Sequence, residues 1–294
     1  MAYRKVYPSK LSFTPKCDHL HVHTSGDTQY NPDLWSIKYL FDHNMADKPA
    51  MICVSGKISN TLALRMFFLK HLFPNVEFHD AENDRFITTA KDIMKNAGTQ
   101  YITYASNEYP LNNRGTKDKL ESRIEKELAD NLSKHITDFS ARAKVVRQFP
   151  ANIFRNHISK DSRITDKLWI DMVSVNSMGE LSPIELKVGG NIPLDLFAQG
   201  LDYGIYCYLF KKHIKGNWFN ERVGPKKDKI TIYYIGEEFH PALVGRDEEK
   251  GIISLVRSNE LFNIVFVKIT VDKKRQCIAG KSEVIFDTRN QCGS

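Results

Sequence analysis

The chain lacks long apolar runs and paired cysteines, and each of these absences excludes a class of protein. No stretch of its 294 residues approaches the roughly 20 consecutive apolar residues that a membrane-spanning helix needs. The N-terminal segment has no continuous apolar core typical of secretory signals, so we expect a cytoplasmic protein. Five scattered cysteines without a Cys-x-x-Cys pair argue against a disulfide framework or a structural zinc site. The composition, 41% hydrophobic and 26% charged, is that of a globular chain with ample core material.

The modest excess of positive charge is concentrated in the second part of the chain. The formal net charge is +7; residues 1–110 contain 12 Lys and Arg against 11 Asp and Glu, whereas residues 111–294 contain 30 against 24. A polyanionic partner would suit this second part. A surface that only keeps the protein in solution explains the same excess equally well.

The first hundred residues alternate strand and helix signals. The segments His19–Thr24 and Ala50–Ser55 predict strands, whereas Ser59–Leu72 and Arg85–Asn96 predict helices. This alternation predicts a small, mostly parallel, Rossmann-like α/β unit over residues 1–110. The turn-forming segment Asn107–Thr116 marks the expected boundary.

Residues 111–294 predict an α+β domain. A long helix is expected over Lys117–Ser140, where an apolar residue recurs at every fourth position. Two apolar strands follow, Leu168–Val175 and Leu181–Val188, joined by the tight-turn segment Asn176–Gly179. A second helix is expected over Pro193–Lys212, so a hairpin followed by a helix forms the centre of this domain.

Three charged residues stand on these otherwise apolar strands. Side chains alternate between faces along a strand, so Glu185 and Lys187 share one face while Ile184 and Leu186 point to the other. Asp171 lies on the preceding strand. Two carboxylates can hold Mg²⁺ with open positions for water and phosphate oxygens, and the Leu186 carbonyl could add a neutral ligand. Lys187 would then orient or activate the attacking water.

A structural explanation competes with this one, because a buried ion pair between Lys187 and one acid would also place charges on apolar strands. The tripeptide Asp/Glu-x-Lys also occurs at Glu248–Lys250 and Asp272–Lys274. Only the Glu185–Lys187 copy combines an apolar strand with an upstream partner strand that carries an acid.

Two flanking helices supply further candidates. Gln199 and Tyr203 lie four residues apart, on one face of the predicted helix, where Gly200 and Gly204 would allow a close approach to the sheet. On the earlier long helix, Glu121 and Glu125 lie directly beside the apolar stripe, and one of them could reach the metal as a third acid; solvated surface glutamates explain the pattern equally well.

This order of motifs resembles the PD-(D/E)xK nuclease superfamily, and more narrowly its RecB and Holliday-junction resolvase branch. The resemblance covers roughly residues 117–212 and rests on the helix glutamate in Ile-Glu125-Lys-Glu-Leu-Ala, on Asp171, on Glu185-Leu-Lys187 and on Gln199-x-x-x-Tyr203. The Pro-Asp pair in the family's name is absent, because Ile170 precedes Asp171. The resemblance implies a restriction-endonuclease-like core with a mixed sheet flanked by helices, Mg²⁺ or Mn²⁺, cleavage of nucleic acid (usually DNA), and often a homodimer.

Two further groups of residues are candidates for binding. Phosphate contacts are predicted for six basic residues near the motifs, namely Arg147, Arg155, Lys160, Arg163, Lys211 and Lys212. In the first unit, Ser55, Gly56 and Lys57 lie between an apolar strand and a helix, a place where a nucleotide ligand could bind. An ordinary strand-to-helix loop explains the same segment, and the first unit could instead dock a protein partner.

Overall fold

The computed structural model describes residues 7–24, 31–45, 48–56, 58–81, 85–106, 119–189, 194–220, 229–246 and 249–291. The chain divides into two compact units. The first consists of Met1–Lys95, Pro193–Ala198 and His240–Arg257, and the second of Asn96–Ile192, Gln199–Phe239 and Ser258–Ser294. The predicted boundary between residues 110 and 111 lies outside the described residues, and two later segments of the chain join the first unit.

The first unit contains a four-stranded sheet with helices between its strands. Its elements up to residue 96 are β1 (Leu11–Pro15), β2 (His19–Thr24), α1 (Pro32–Asp42), β3 (Ala50–Gly56), α2 (Asn60–Leu72), β4 (Val76–Asp80) and α3 (Arg85–Asn96). The strand order is β1-β2-β3-β4, with β2, β3 and β4 parallel and β1 antiparallel to β2. The predicted mostly parallel unit is confirmed. Among the described strands, the parallel β2, β3 and β4 lie side by side in chain order, without the reversal of strand order that is typical of a Rossmann fold. The Rossmann-like interpretation of this unit therefore stays a prediction.

Local sequence explains the helices of this unit. The Ser59 hydroxyl accepts a hydrogen bond from the Leu62 amide at 3.2 Å and so caps the N-terminus of α2. The buried Arg65 of α2 donates to Asp33 of α1 at 2.6 Å, so a charged pair joins the two helices.

From residue 101 onward the chain forms most of the second unit. Its elements are β5 (Tyr101–Thr103), α4 (Lys119–Asp130), α5 (Leu132–His135), β6 (Val146–Pro150), β7 (Ile153–Arg155), β8 (Trp169–Val175), β9 (Leu181–Lys187), α6 (Leu194–Phe219), β10 (Ile230–Gly236), α7 (Pro241–Val244), β11 (Gly245–Arg246), β12 (Glu249–Lys250), β13 (Phe262–Lys268), β14 (Val271–Asp272), β15 (Cys277–Ile278) and β16 (Glu283–Asp287). Of these, α7, β11, β12 and the first residues of α6 group with the first unit.

A six-stranded mixed sheet forms the centre of the second unit, in the order β16-β13-β10-β9-β8-β6. The strands β9, β10 and β13 are parallel, whereas the pairs β8–β9, β6–β8 and β13–β16 are antiparallel. One face packs against α4 through a buried apolar cluster that includes Ile124, Leu128, Ile184 and Leu186. The other face carries α6. The predicted α+β class is therefore confirmed.

The prediction of one helix over Lys117–Ser140 is wrong, because α4 ends at Asp130 and only the short α5 follows. The backbone leaves the helix at Asn131, with φ −136° and ψ 32°. The apolar residues Leu132 and Ile136 are nevertheless buried in the same cluster as Ile124. The spacing of four residues between apolar positions thus predicted the buried face correctly, although the helix ends at Asp130. Among the described helices none is both long and apolar enough to span a membrane.

Candidate functional site

The register of the β8–β9 hairpin places Asp171 beside Glu185. The β8–β9 ladder ends at the pair Met172–Ile184, and the same antiparallel register extended by one residue would set Asp171 across from Glu185. Directly opposite residues have their side chains on the same face, about 5 Å apart at Cβ. Both acids are about 4% exposed. The hairpin therefore brings two buried carboxylates together on neighbouring strands.

The two acids point away from the apolar cluster and towards α6. Met172, Ile184 and Leu186 belong to the cluster beneath α4, so the alternating positions 171 and 185 lie on the opposite face. Tyr203 of α6 lies close enough to Asp171 and Glu185 for both carboxylates to interact with it electrostatically. Burial, then Glu185 and Asp171, raise the pKa of Tyr203 well above its ordinary value. The phenol is therefore protonated and can donate a hydrogen bond.

Two glycines let α6 lie directly on this face of the sheet. A Cβ added to Gly200 would be 2.2 Å from the ring of Tyr234 on β10. A Cβ on Gly204 would be 2.2 Å from Ile232 Cδ1. The predicted close approach of this helix is confirmed, and it explains why Tyr203 reaches the acids. Gln199, four residues earlier, is exposed.

Asp171 also fixes the backbone of the neighbouring strand, because its Oδ2 accepts a hydrogen bond from the Leu186 amide at 3.1 Å. Leu186 thus lies beside both acids, where its carbonyl had been expected to serve as a metal ligand. Lys187 ends β9 with its side chain 47% exposed, and its Nζ is 3.6 Å from Glu121 Oε2.

The structure gives the two helix glutamates different partners. Glu121 accepts a hydrogen bond from the Val188 amide at 3.3 Å in addition to its contact with Lys187. Glu125 is fully buried and accepts hydrogen bonds from Arg147 Nε at 3.0 Å and from Gln148 Nε2. The family resemblance favours Glu125 as the third acid and Glu121 as the second choice, whereas in the structure Glu121 is the glutamate that lies beside Lys187.

The loop after β9 is held by a second carboxylate that the sequence analysis did not single out. Glu237, which directly follows β10, accepts a hydrogen bond from the Gly189 amide at 2.8 Å. Glu121 and Glu237 therefore hold the consecutive amides of Val188 and Gly189. No local pattern could have identified Glu237, because its proximity depends on the parallel pairing of β9 with β10.

The predicted phosphate-binding residues fall into three places. Arg155 ends β7, which pairs with β5, and donates a hydrogen bond to the Tyr101 hydroxyl at 3.0 Å, while Lys160 and Arg163 lie in the segment between β7 and β8. Arg147 is engaged by Glu125 and by the Ser122 carbonyl.

The other two, Lys211 and Lys212, lie eight and nine residues beyond Tyr203 on α6, roughly 12 Å along the helix. The Nζ of Lys211 lies 4.7 Å from the centroid of the Tyr208 ring. The structure does not bring these two lysines to the carboxylates.

In the first unit, the predicted ligand position carries two histidines. The Ser55 hydroxyl is 3.1 Å from His21 Nε2 and 3.0 Å from His23 Nδ1. Gly56 has φ +102°, and a Cβ there would be 2.5 Å from the Thr24 carbonyl oxygen, so this turn requires glycine. Lys57 lies outside the described residues. The alternation of histidines along β2 could have indicated this grouping.

Both carboxylates are suited to a hard divalent cation. Mg²⁺ in proteins commonly takes one or two carboxylates and keeps several waters, and the Asp171–Glu185 pair supplies such a donor set. Within the described part of the chain, no group of three or more His, Cys, Asp or Glu side chains is arranged to hold a metal ion. No protein-family model, curated protein or solved structure matches the chain.

Proposed function

We propose that this chain is a Mg²⁺-dependent nuclease that hydrolyses phosphodiester bonds of nucleic acid, with DNA as the first substrate class. The observation that carries the proposal is the pair of buried acids, Asp171 and Glu185, which lie on neighbouring strands just past the end of their ladder and both act on Tyr203. Two like charges side by side in a poorly solvated place repel each other, and a divalent cation relieves that repulsion. The motif order that resembles the PD-(D/E)xK superfamily supports the same assignment.

A bound Mg²⁺ would neutralise charge on the scissile phosphate and make an attacking hydroxide accessible near neutral pH. Asp171 and Glu185 would hold the ion. The hydrogen bond from the Leu186 amide orients Asp171 for this task. Mn²⁺ would serve the same donor set.

Lys187 supplies a positive charge at the exposed end of the same strand. Its contact with Glu121 holds the ammonium at the end of β9. A protonated lysine at this place can stabilise the charge that develops on the phosphate oxygens. The Tyr203 hydroxyl, kept protonated by burial and by both acids, can donate a hydrogen bond to a carboxylate or to a bound water. Gln199, which is exposed on α6, would contact the substrate in this proposal.

The test compares Asp171→Asn with Asp130→Asn, a control that removes an exposed carboxylate from the end of α4. Plasmid and single-stranded DNA and RNA are incubated with wild type and both variants, in Mg²⁺, Mn²⁺ or EDTA. We expect metal-dependent cleavage by wild type and by Asp130→Asn only. We also expect Mg²⁺ to raise the melting temperature of these two proteins, but not that of Asp171→Asn.

A folded wild-type protein that cleaves no substrate in either metal would overturn the proposal. Binding of nucleic acid without cleavage would then favour a non-catalytic binding protein. Cleavage that appears only after a nucleotide is added would instead make the Ser55–Gly56–Lys57 segment a gating site.

A further inference from the structure

Three parallel strands of the second unit end in one row with the pattern lysine, glycine, lysine. The register pairs Gly236 of β10 with Lys187 of β9 on one side and with Lys268 of β13 on the other. Residues in such a row share a face of the sheet, and this face is the one that carries Glu185. With strands spaced at about 4.8 Å, the two lysine Cα atoms lie roughly 10 Å apart.

The two outer strands also share a burial pattern. In both β9 and β13, six buried residues precede one exposed lysine. The middle residue of the row is a buried glycine, so no side chain stands between the lysines. Both lysines are therefore exposed at the carboxyl edge of parallel strands, which is where ligands bind in many open α/β sheets, and the Nζ of Lys187 also lies 3.6 Å from Glu121 Oε2.

The chain around Lys268 adds charge of both signs. Two residues separate the end of β13 from the β14–β15 hairpin, whose connecting residues Lys273, Lys274 and Arg275 are exposed. Glu237 is directed to the Gly189 amide, and Glu283 of β16 stands opposite Lys268. Lys268 thus has two competing roles open to it, a cross-strand pairing with Glu283 or a contact with a substrate phosphate.

We infer that Lys268 binds a backbone phosphate of the nucleic-acid substrate next to the phosphate that is cleaved at Lys187. This inference rests on the proposed nuclease function. In the inferred complex, the nucleic-acid strand crosses the carboxyl edge of the sheet from Lys187 of β9, over Gly236 of β10, to Lys268 of β13. Lys268 contributes affinity and position without reading the base sequence, as phosphate contacts do.

The experiment measures binding in Ca²⁺, a hard cation that carboxylates bind, so that binding is observed apart from cleavage. Fluorescence anisotropy of labelled 20-nucleotide single strands and duplexes is recorded between 50 and 200 mM KCl. The variants are Lys268→Ala, Lys268→Arg, Glu283→Gln and the control Lys229→Ala. Lys229 directly precedes β10, roughly 23 Å from Gly236 at the opposite end of that strand.

We expect Lys268→Ala to weaken single-strand binding about fivefold and to make the slope of log affinity against log salt shallower by about 0.7. Lys268→Arg should keep both quantities near wild type. Glu283→Gln should tighten binding, because it removes a negative charge beside the phosphate. Lys229→Ala should leave binding unchanged. Thermal melting checks that every variant is folded.

A Lys268→Ala variant with the wild-type slope would overturn the inference, and so would tighter binding by wild type than by Glu283→Gln. Because binding and Mg²⁺-dependent cleavage are measured separately, the two proposals can fail separately. If the protein cleaves nucleic acid but Lys268→Ala leaves binding unchanged, only the inference on Lys268 is overturned. If Lys268→Ala changes the salt slope but the protein does not cleave, only the proposed nuclease activity is overturned. A protein that neither binds nor cleaves removes both.

Discussion

Strand β9 has a buried carboxylate near each end, and the two have different surroundings. Glu180, just before the strand, accepts hydrogen bonds from Asn176 Nδ2 at 3.0 Å, from the Thr231 hydroxyl and from Asn263 Nδ2. All three donors are neutral. Near the other end, Glu185 stands opposite a second carboxylate, that of Asp171, and two residues from the half-exposed Lys187.

This difference separates a carboxylate that stabilises the fold from a pair that is suited to a cation. A buried acid surrounded by neutral hydrogen-bond donors has its charge solvated by the protein. Two acids in opposed positions repel each other, and this arrangement favours binding of a positive ion. Burial alone therefore does not identify a site; the second acid on the neighbouring strand does.

The largest expected effect is on cleavage when the pair is broken. Glu185→Gln keeps the shape of the side chain but removes one charge, and we expect the single-turnover rate in Mg²⁺ to fall about 1000-fold, or roughly 4 kcal/mol. In metal-free buffer the melting temperature should stay the same or rise, because repulsion with Asp171 is relieved. Cleavage within tenfold of wild type would show that the pair does not hold the catalytic ion.

Replacing Lys187 should have the next largest effect. Lys187→Ala should lower the rate about 100-fold, the usual loss for one group that stabilises developing charge. Because the side chain is 47% exposed, the melting temperature should change little. Lys134→Ala, an exposed lysine of α5, is the control and should cleave normally. A Lys187→Ala variant that unfolds readily but cleaves at the wild-type rate would instead support a structural ion pair.

Replacing Glu180, at the opposite end of β9, should lower the stability of the protein without changing its cleavage rate. Glu180→Ala leaves the buried donors of Asn176, Thr231 and Asn263 without their acceptor, so we expect the free energy of unfolding to fall by about 2 kcal/mol. Urea denaturation measures this loss. The rate per folded molecule should equal that of wild type, and a large loss of rate at full stability would make Glu180 part of the site.

The smallest expected effect is that of Tyr203→Phe, with a rate about tenfold lower. Burial, the largest cause, raises the pKa of Tyr203 and persists when Mg²⁺ offsets the charge of the two acids, so the hydroxyl stays protonated in the folded protein when pH passes the ordinary tyrosine value of 10.0. Its contribution is thus present below pH 10 and is lost only as pH rises further, through the raised pKa. The ratio of wild-type to variant rates should therefore be constant from pH 7 to 10, and a ratio that falls within this range would contradict the assignment.

Several features of the fold could be predicted because they depend on short stretches of chain. Alternating apolar residues predicted β2 at His19–Thr24, and the boundaries of α3 at Arg85–Asn96 are also confirmed. The choice between Glu121 and Glu125 could not be made in this way. The two residues are four apart on one helix and so have the same local pattern, and Arg147 and Gln148, more than 20 residues later, distinguish them.

The sequence by itself determined that Glu185 and Lys187 share a face and that Ile184 and Leu186 point into a core, because alternation along a strand is a property of the local backbone. Only the tertiary structure decided which groups meet them. Tyr203 reaches the acids because Gly200 and Gly204 let α6 lie on the sheet. Lys268, 81 residues after Lys187, enters the same row through the register of β9, β10 and β13. That register is set by burial of the whole apolar core, which no short segment specifies.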